Sequence, residues 1–123
     1  MTMPMPMLLL MLLLTLLALP SHAAPLKKDA GFIQTRAQLL KEGWQPVTTQ
    51  VGDEGGPIGT EASLIAAGIV EVESCAVDRP LCILNYRRHQ RCLRLITSGE
   101  ELPTMTVDSW THRCPAPRRA NGQ

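Results

Sequence analysis

IGTEASLIAAGIVEV, residues 58–72, reads as a second copy of IQTRAQLLKEGWQPV, residues 33–47. At an offset of 25 positions, six of the fifteen residues are identical: Ile33 with Ile58, Thr35 with Thr60, Ala37 with Ala62, Leu39 with Leu64, Gly43 with Gly68 and Val47 with Val72. Leu40 against Ile65 and Trp44 against Ile69 keep an apolar side chain. Each copy predicts a short helix, a glycine stop and a strand. Thr35 and Thr60 stand where a hydroxyl can accept from the free amides of a first helical turn. Ile33, Ala37, Leu40 and Trp44 recur at three- or four-residue spacing, as do Ala62, Ile65 and Ile69, which puts an apolar stripe on each helix. Gly43 and Gly68 fit the left-handed position that closes a helix. WQPVTTQ and IVEVES then read as strands, the second with Val70 and Val72 on one face and Glu71 and Glu73 on the other. Helices this short do not persist alone in water, so both need a sheet to cover.

The sheet is supplied downstream. PLCILNYR and CLRLITSG form two strand candidates joined by a polar turn around residues 88–90. Leu93, Leu95 and Thr97 share one face of the second, opposite Arg94 and Ile96. TMTVDSW, residues 104–110, adds a last strand, with Pro103 at its start. The expected fold class is therefore a small two-layer α+β domain, with two short helices packed on a mainly antiparallel sheet of about four strands. Between the copies, QVGDEGGP is a loop too short to separate independent domains. It lacks a nucleotide-binding fingerprint, and Asp53 and Glu54 would repel phosphate.

The N-terminus indicates the compartment. MLLLMLLLTLLAL, residues 7–19, is interrupted only by Thr15. It is shorter than the roughly 20 residues of a membrane span. PSHAAP follows, with Ser21 and Ala23 small at the positions signal peptidase reads. Cleavage between Ala23 and Ala24 is expected. The predicted organisation is a signal peptide over residues 1–23, one compact domain over 24–115 and a flexible tail over 116–123. The mature chain would be periplasmic or secreted, with no transmembrane anchor.

Export bears on the cysteines, since an oxidising compartment favours disulfides and a small core needs them. The expected pairs are Cys75–Cys82, closing a short connection, and Cys92–Cys114, fastening the C-terminal segment. The pairing of Cys75 with Cys92 and Cys82 with Cys114 is the alternative. No CxxC redox pair is present. A zinc site built from His89, Cys92, His112 and Cys114 would leave Cys75 and Cys82 as the one disulfide and is disfavoured. No metal and no cofactor are expected.

Charge is divided along the chain. Residues 24–78 hold four Lys or Arg against eight Asp or Glu, while residues 79–123 hold eight Arg against three acids. The sharpest basic group is RRHQRCLR, with Arg87, Arg88, Arg91 and Arg94 beside the predicted hairpin; arginine forks suit carboxylates or phosphates. These four, together with Tyr86, Trp110 and His112, form the candidate interaction surface. Nucleic acid is not an expected partner, because aromatic platforms are scarce. An acidic protein partner, an anionic membrane surface or an envelope polymer fits better. Adjacent Glu100 and Glu101 lack the separation of a paired acid and base, and no serine lies in a nucleophile turn. The expected function is a non-enzymatic protein-interaction module, such as an inhibitor or immunity-like factor for a secreted or envelope protein. Alternatives are an envelope polymer- or ligand-binding module, and a small hydrolase using His112 with a nearby serine or acid.

Overall fold

The computed structural model of the chain describes residues 5–7, 24–49 and 56–116. The remainder of the predicted leader, the loop around Asp53 and Glu54, and the tail beyond residue 116 lie outside the described residues. In chain order the elements are α1 (Phe32–Lys41), β1 (Gln45–Pro46), α2 (Gly59–Ala66), β2 (Val72–Cys75), β3 (Leu81–Arg88), β4 (Arg91–Ser98), a 3-10 turn (Leu102–Thr104) and β5 (Thr106–Thr111). They build a two-layer α+β domain, with both helices over one face of a five-stranded sheet whose every ladder is antiparallel.

Both helices stop in the same way. The Trp44 amide donates to the Leu39 carbonyl and the Gly43 amide to that of Leu40; 25 residues later, Ile69 donates to Leu64 and Gly68 to Ile65. This pair of bonds is the Schellman closure, which needs a left-handed residue at the glycine. Gly43 has φ 92° and Gly68 φ 84°. Each closure turns the chain back so that the next segment meets β3. β1 pairs with Tyr86 and Arg87, while β2 pairs with Cys82, Ile83 and Leu84. The two copies therefore dock end to end along one edge of β3. Asn85 is the junction: its amide donates to the Glu71 carbonyl and its carbonyl accepts from the Val47 amide.

The sequence placed the elements better than their faces. In α1 the buried residues are Phe32 and Leu39, whereas Ile33 is 45% and Leu40 38% exposed. The inward stripe runs through Phe32, Arg36 and Leu39, and the charge of Arg36 disguised it. That charge is tolerated because Arg36 grips Glu71, with Nε to Oε2 at 2.7 Å and Nη2 to Oε1 at 3.2 Å. Glu71 is wholly buried while Val70 is exposed, against the expected alternation, whereas Val72 is buried as expected. Val70 and Glu71 lie in the turn before β2, which begins only at Val72, so strand alternation does not apply to them. Within β2 the register shifts between Val72 and Ser74, leaving Glu73 as the extra residue of a bulge. Thr35 and Thr60 do not cap their helices either. Gly31 and Ile58 occupy those positions, and the Thr35 hydroxyl donates back to the Gly31 carbonyl at 2.8 Å.

The core lies between the layers. Leu84, Tyr86, Leu93, Leu95 and Val107 line the sheet side, and Phe32, Leu39, Trp44, Leu64 and Met105 close it from above. On β4, Leu93, Leu95 and Thr97 all face inward, as their alternation predicted. The free edge of β5 is covered by the chain before α1: Asp29 and Phe32 donate to the carbonyls of Val107 and Met105, and Val107 donates back to Ala30. That strap fixes the start of α1 and carries residues 24–26 across the open end of the sheet.

Both expected disulfides are present. Cys75–Cys82 closes the connection between β2 and β3, and Cys92–Cys114 ties the segment after β5 to the start of β4.

Candidate binding groove at the β3–β4 hairpin

The hairpin tip is made by two residues, His89 and Gln90, between Arg88 and Arg91. His89 has φ 54°, a left-handed conformation that a side chain other than glycine adopts reluctantly. The tight turn sets Arg88 directly opposite Arg91. Strand alternation sends both toward the helix-bearing face, the face of Tyr86 and Leu93, and sends Arg87 and Arg94 to the other. The four arginines of the sequence motif are thus divided between two surfaces.

On the helix side they open onto a groove of about 300 Å³. Its floor is Leu39, Trp44 and Leu93; its rims are Arg88 and Arg91, Trp110 and His112, and the segment Ala24–Leu26 with Glu42. Each wall has its own support. Arg88 is held twice, its guanidinium lying 4.8 Å from the Trp44 ring centroid and its Nη1 donating to the Glu42 carbonyl at 3.2 Å. Trp110 is paired with Leu95 across β4 and β5. The His112 Nδ1 lies 3.2 Å from the Cys92 carbonyl, which can only accept, so that nitrogen carries a proton. The Cys92–Cys114 bridge clamps the same segment two residues further on.

Charge in the groove is unbalanced. Glu42 is the one carboxylate among its lining residues, and its Oε1 already accepts from the Ala24 amide and from Gln38 Nε2, both at 2.8 Å. Among the described residues, no carboxylate forms an ion pair with Arg87, Arg88 or Arg91. Arg94 differs. It lies on the opposite face in a two-point contact with Glu73, Nη2 to Oε2 at 2.8 Å and Nη1 to Oε1 at 3.3 Å. The acidic strand near the hairpin therefore neutralises one arginine of the four.

Tyr86, expected on the surface, belongs to the core and is 1% exposed. Its hydroxyl is near enough to Glu71 and Arg36 for both charges to act on it, yet has no partner in hydrogen-bond geometry. Burial, reinforced by the Glu71 carboxylate, pushes the phenol well above its usual range. The same ion pair raises the Arg36 guanidinium above its ordinary value, chiefly through the hydrogen bond to Glu71. Sequence reasoning missed Trp44 and the strap Ala24–Leu26 as groove walls. Nothing local marks them, since their place follows from how the strap crosses the sheet.

The His112–serine arrangement of a hydrolase does not assemble around Ser109. The Ser109 hydroxyl bonds the adjacent Asp108 at 3.1 Å, on the sheet face away from the groove, while His112 bonds Cys92. All four cysteines are in disulfides, and among the described residues no group of three or more His, Cys, Asp or Glu side chains converges as a metal site. No helix among the described residues is long and apolar enough to cross a membrane. Comparison of the chain with protein-family models, with curated proteins and with solved structures finds no match.

Proposed function

We propose that the chain is an exported, disulfide-stapled and non-enzymatic interaction module whose hairpin groove receives an acidic segment of a protein partner. The carrying observation is the meeting of Arg88, Arg91, Trp110 and His112 on one rim, with no carboxylate of the described chain paired to either arginine. An arginine held over Trp44 is oriented before binding, so little rotamer freedom remains to be lost on contact. The apolar floor of Leu39 and Leu93 favours a segment that mixes carboxylates with an apolar residue. A volume near 300 Å³ is at the small end of ligand cavities and suits one or two side chains. Export is supported by the leader and its cleavage motif, and by two disulfides in so small a domain.

The test is binding of glutamate- and aspartate-rich model peptides by the oxidised protein over a salt series. An Arg88→Gln/Arg91→Gln variant should lose most of a salt-sensitive affinity, and Arg87→Gln, on the opposite face, should retain it. Equal losses in both variants would remove the groove from the proposal. Retention of an anionic polysaccharide in place of the peptides would favour an envelope-polymer function.

A further inference from the structure

We infer that cleavage of the Ala23–Ala24 bond creates an amino terminus that pairs with Glu42 and locks the N-terminal wall of the groove. The inference rests on the export reading and adds to it a specific structural consequence of processing. The Ala24 nitrogen lies 2.8 Å from Glu42 Oε1. The carboxylate is already aimed, because Gln38, one turn earlier on α1, donates to the same oxygen at 2.8 Å. Glu42 is fixed from its backbone too, its amide bonded to the Gln38 carbonyl and its own carbonyl bonded to Arg88. Downstream, Leu26 packs against the core and Asp29 is hydrogen-bonded to β5. The first residues of the processed chain are thereby held at both ends across the rim.

In the continuous chain the Ala24 nitrogen is a peptide amide, one neutral donor. Hydrolysis gives the hydroxyl of water to the Ala23 carbonyl carbon and leaves the Ala24 nitrogen as an amine, which takes up a proton near neutral pH. The result is a cation with three donors at the position the amide held, and its bond to the carboxylate becomes charge-assisted. Register is decisive: a cut one residue earlier leaves the Ala24 nitrogen a neutral amide, and a cut one residue later removes it from the chain. Processing thus converts a tethered strap into a pinned one, at a rim that also carries Trp110 and His112.

The charged and titratable groups lining this end are Lys27, Glu42, Arg88, Arg91 and His112. The cationic Lys27, Arg88 and Arg91 disfavour the ammonium and Glu42 favours it, so the informative quantity is the change when Glu42 alone is altered. The experiment is the intact mass of protein collected after export, followed by the rate at which an acylating reagent modifies the Ala24 amine, read on the N-terminal peptide. The expected result is a chain beginning at Ala24 whose amine reacts roughly twofold to fivefold faster in Glu42→Gln, the factor an exposed ion pair supports. Gln38→Leu, which keeps the carboxylate but releases its aim, should shift the rate in the same direction by less. A chain that begins at Ala24 but reacts equally in both variants would overturn the pairing and leave export standing. A start at any other residue would overturn the proposed register. A chain found only inside the cell with its leader intact would overturn the export reading and the pairing together, and an exported chain that keeps its leader would overturn the processing and the pairing.

Discussion

Glu71 and Tyr86 carry the two most demanding polar environments in the core. Glu71 is fully buried, and its charge is compensated from α1 by Arg36, whose side chain is 24% exposed. Removing one partner of such a pair leaves a buried charge uncompensated, which costs about 3–5 kcal/mol. Arg36→Met should therefore lower the denaturant midpoint sharply, and Arg36→Met with Glu71→Leu should recover most of the loss. A small effect of Arg36→Met alone would show that water reaches Glu71. Tyr86 is the single tyrosine of the chain, so tyrosinate absorbance reports it alone. Its folded pKa is raised, first by burial and then by Glu71. Up to about pH 10, where an unfolded tyrosine ionises, the group leaves stability unchanged. Above that pH the unfolded state releases a proton that the folded state retains, so stability falls by about 1.4 kcal/mol per pH unit. Tyrosinate should appear only together with alkaline unfolding; its appearance in folded protein near pH 10 would contradict the burial argument.

Each helix owes its direction of exit to one glycine. Gly68 has φ 84°, and a Cβ added there meets no atom within 4 Å, so Gly68→Ala carries backbone strain and nothing else. The expected loss is about 1–2 kcal/mol in equilibrium unfolding. Gly43→Ala, at φ 92°, would bring its Cβ to 3.7 Å from Arg88 Cδ, an ordinary contact, and should cost a similar amount. Closely matched losses would agree with two structurally equivalent closures 25 residues apart. A much larger loss at one of them would mean that the two strands do not depend equally on their stops.

At the scale of the whole molecule, the staples divide the labour. Cys75–Cys82 closes a loop with a sequence separation of 7, and Cys92–Cys114 one of 22. By loop-closure entropy the longer bridge contributes more, with about 2–4 kcal/mol typical for a disulfide. It also joins the His112 segment to β4 beside the groove. Cys92→Ser/Cys114→Ser should therefore speed amide exchange around Trp110 and weaken groove binding, while the β2–β3 ladder keeps its protection. Equal loosening of both regions would mean that the domain unfolds as one unit and that the bridge has no local role.

The order of elements, the repeated helix–glycine–strand unit, the inward face of β4 and the preferred disulfide pairing were legible in the sequence. Each depends on spacing within a short stretch or on the chemistry of a residue type. The inward face of α1 was not, because apolar periodicity selects Ile33, Ala37 and Leu40 and has no means of seeing that Arg36 will be neutralised by a residue 35 positions away. Nor was the reversal at Val70 and Glu71, since these residues lie in a turn before β2, where strand alternation does not apply. The arginine cluster was visible as composition, but a two-residue turn and a strand's alternation decided that Arg88 and Arg91 share the groove while Arg94 pairs with Glu73 behind the sheet. Local spacing fixes what the chain forms by itself; the partner that a side chain meets across the fold depends on contacts between distant segments, and those exist only once the sheet has assembled.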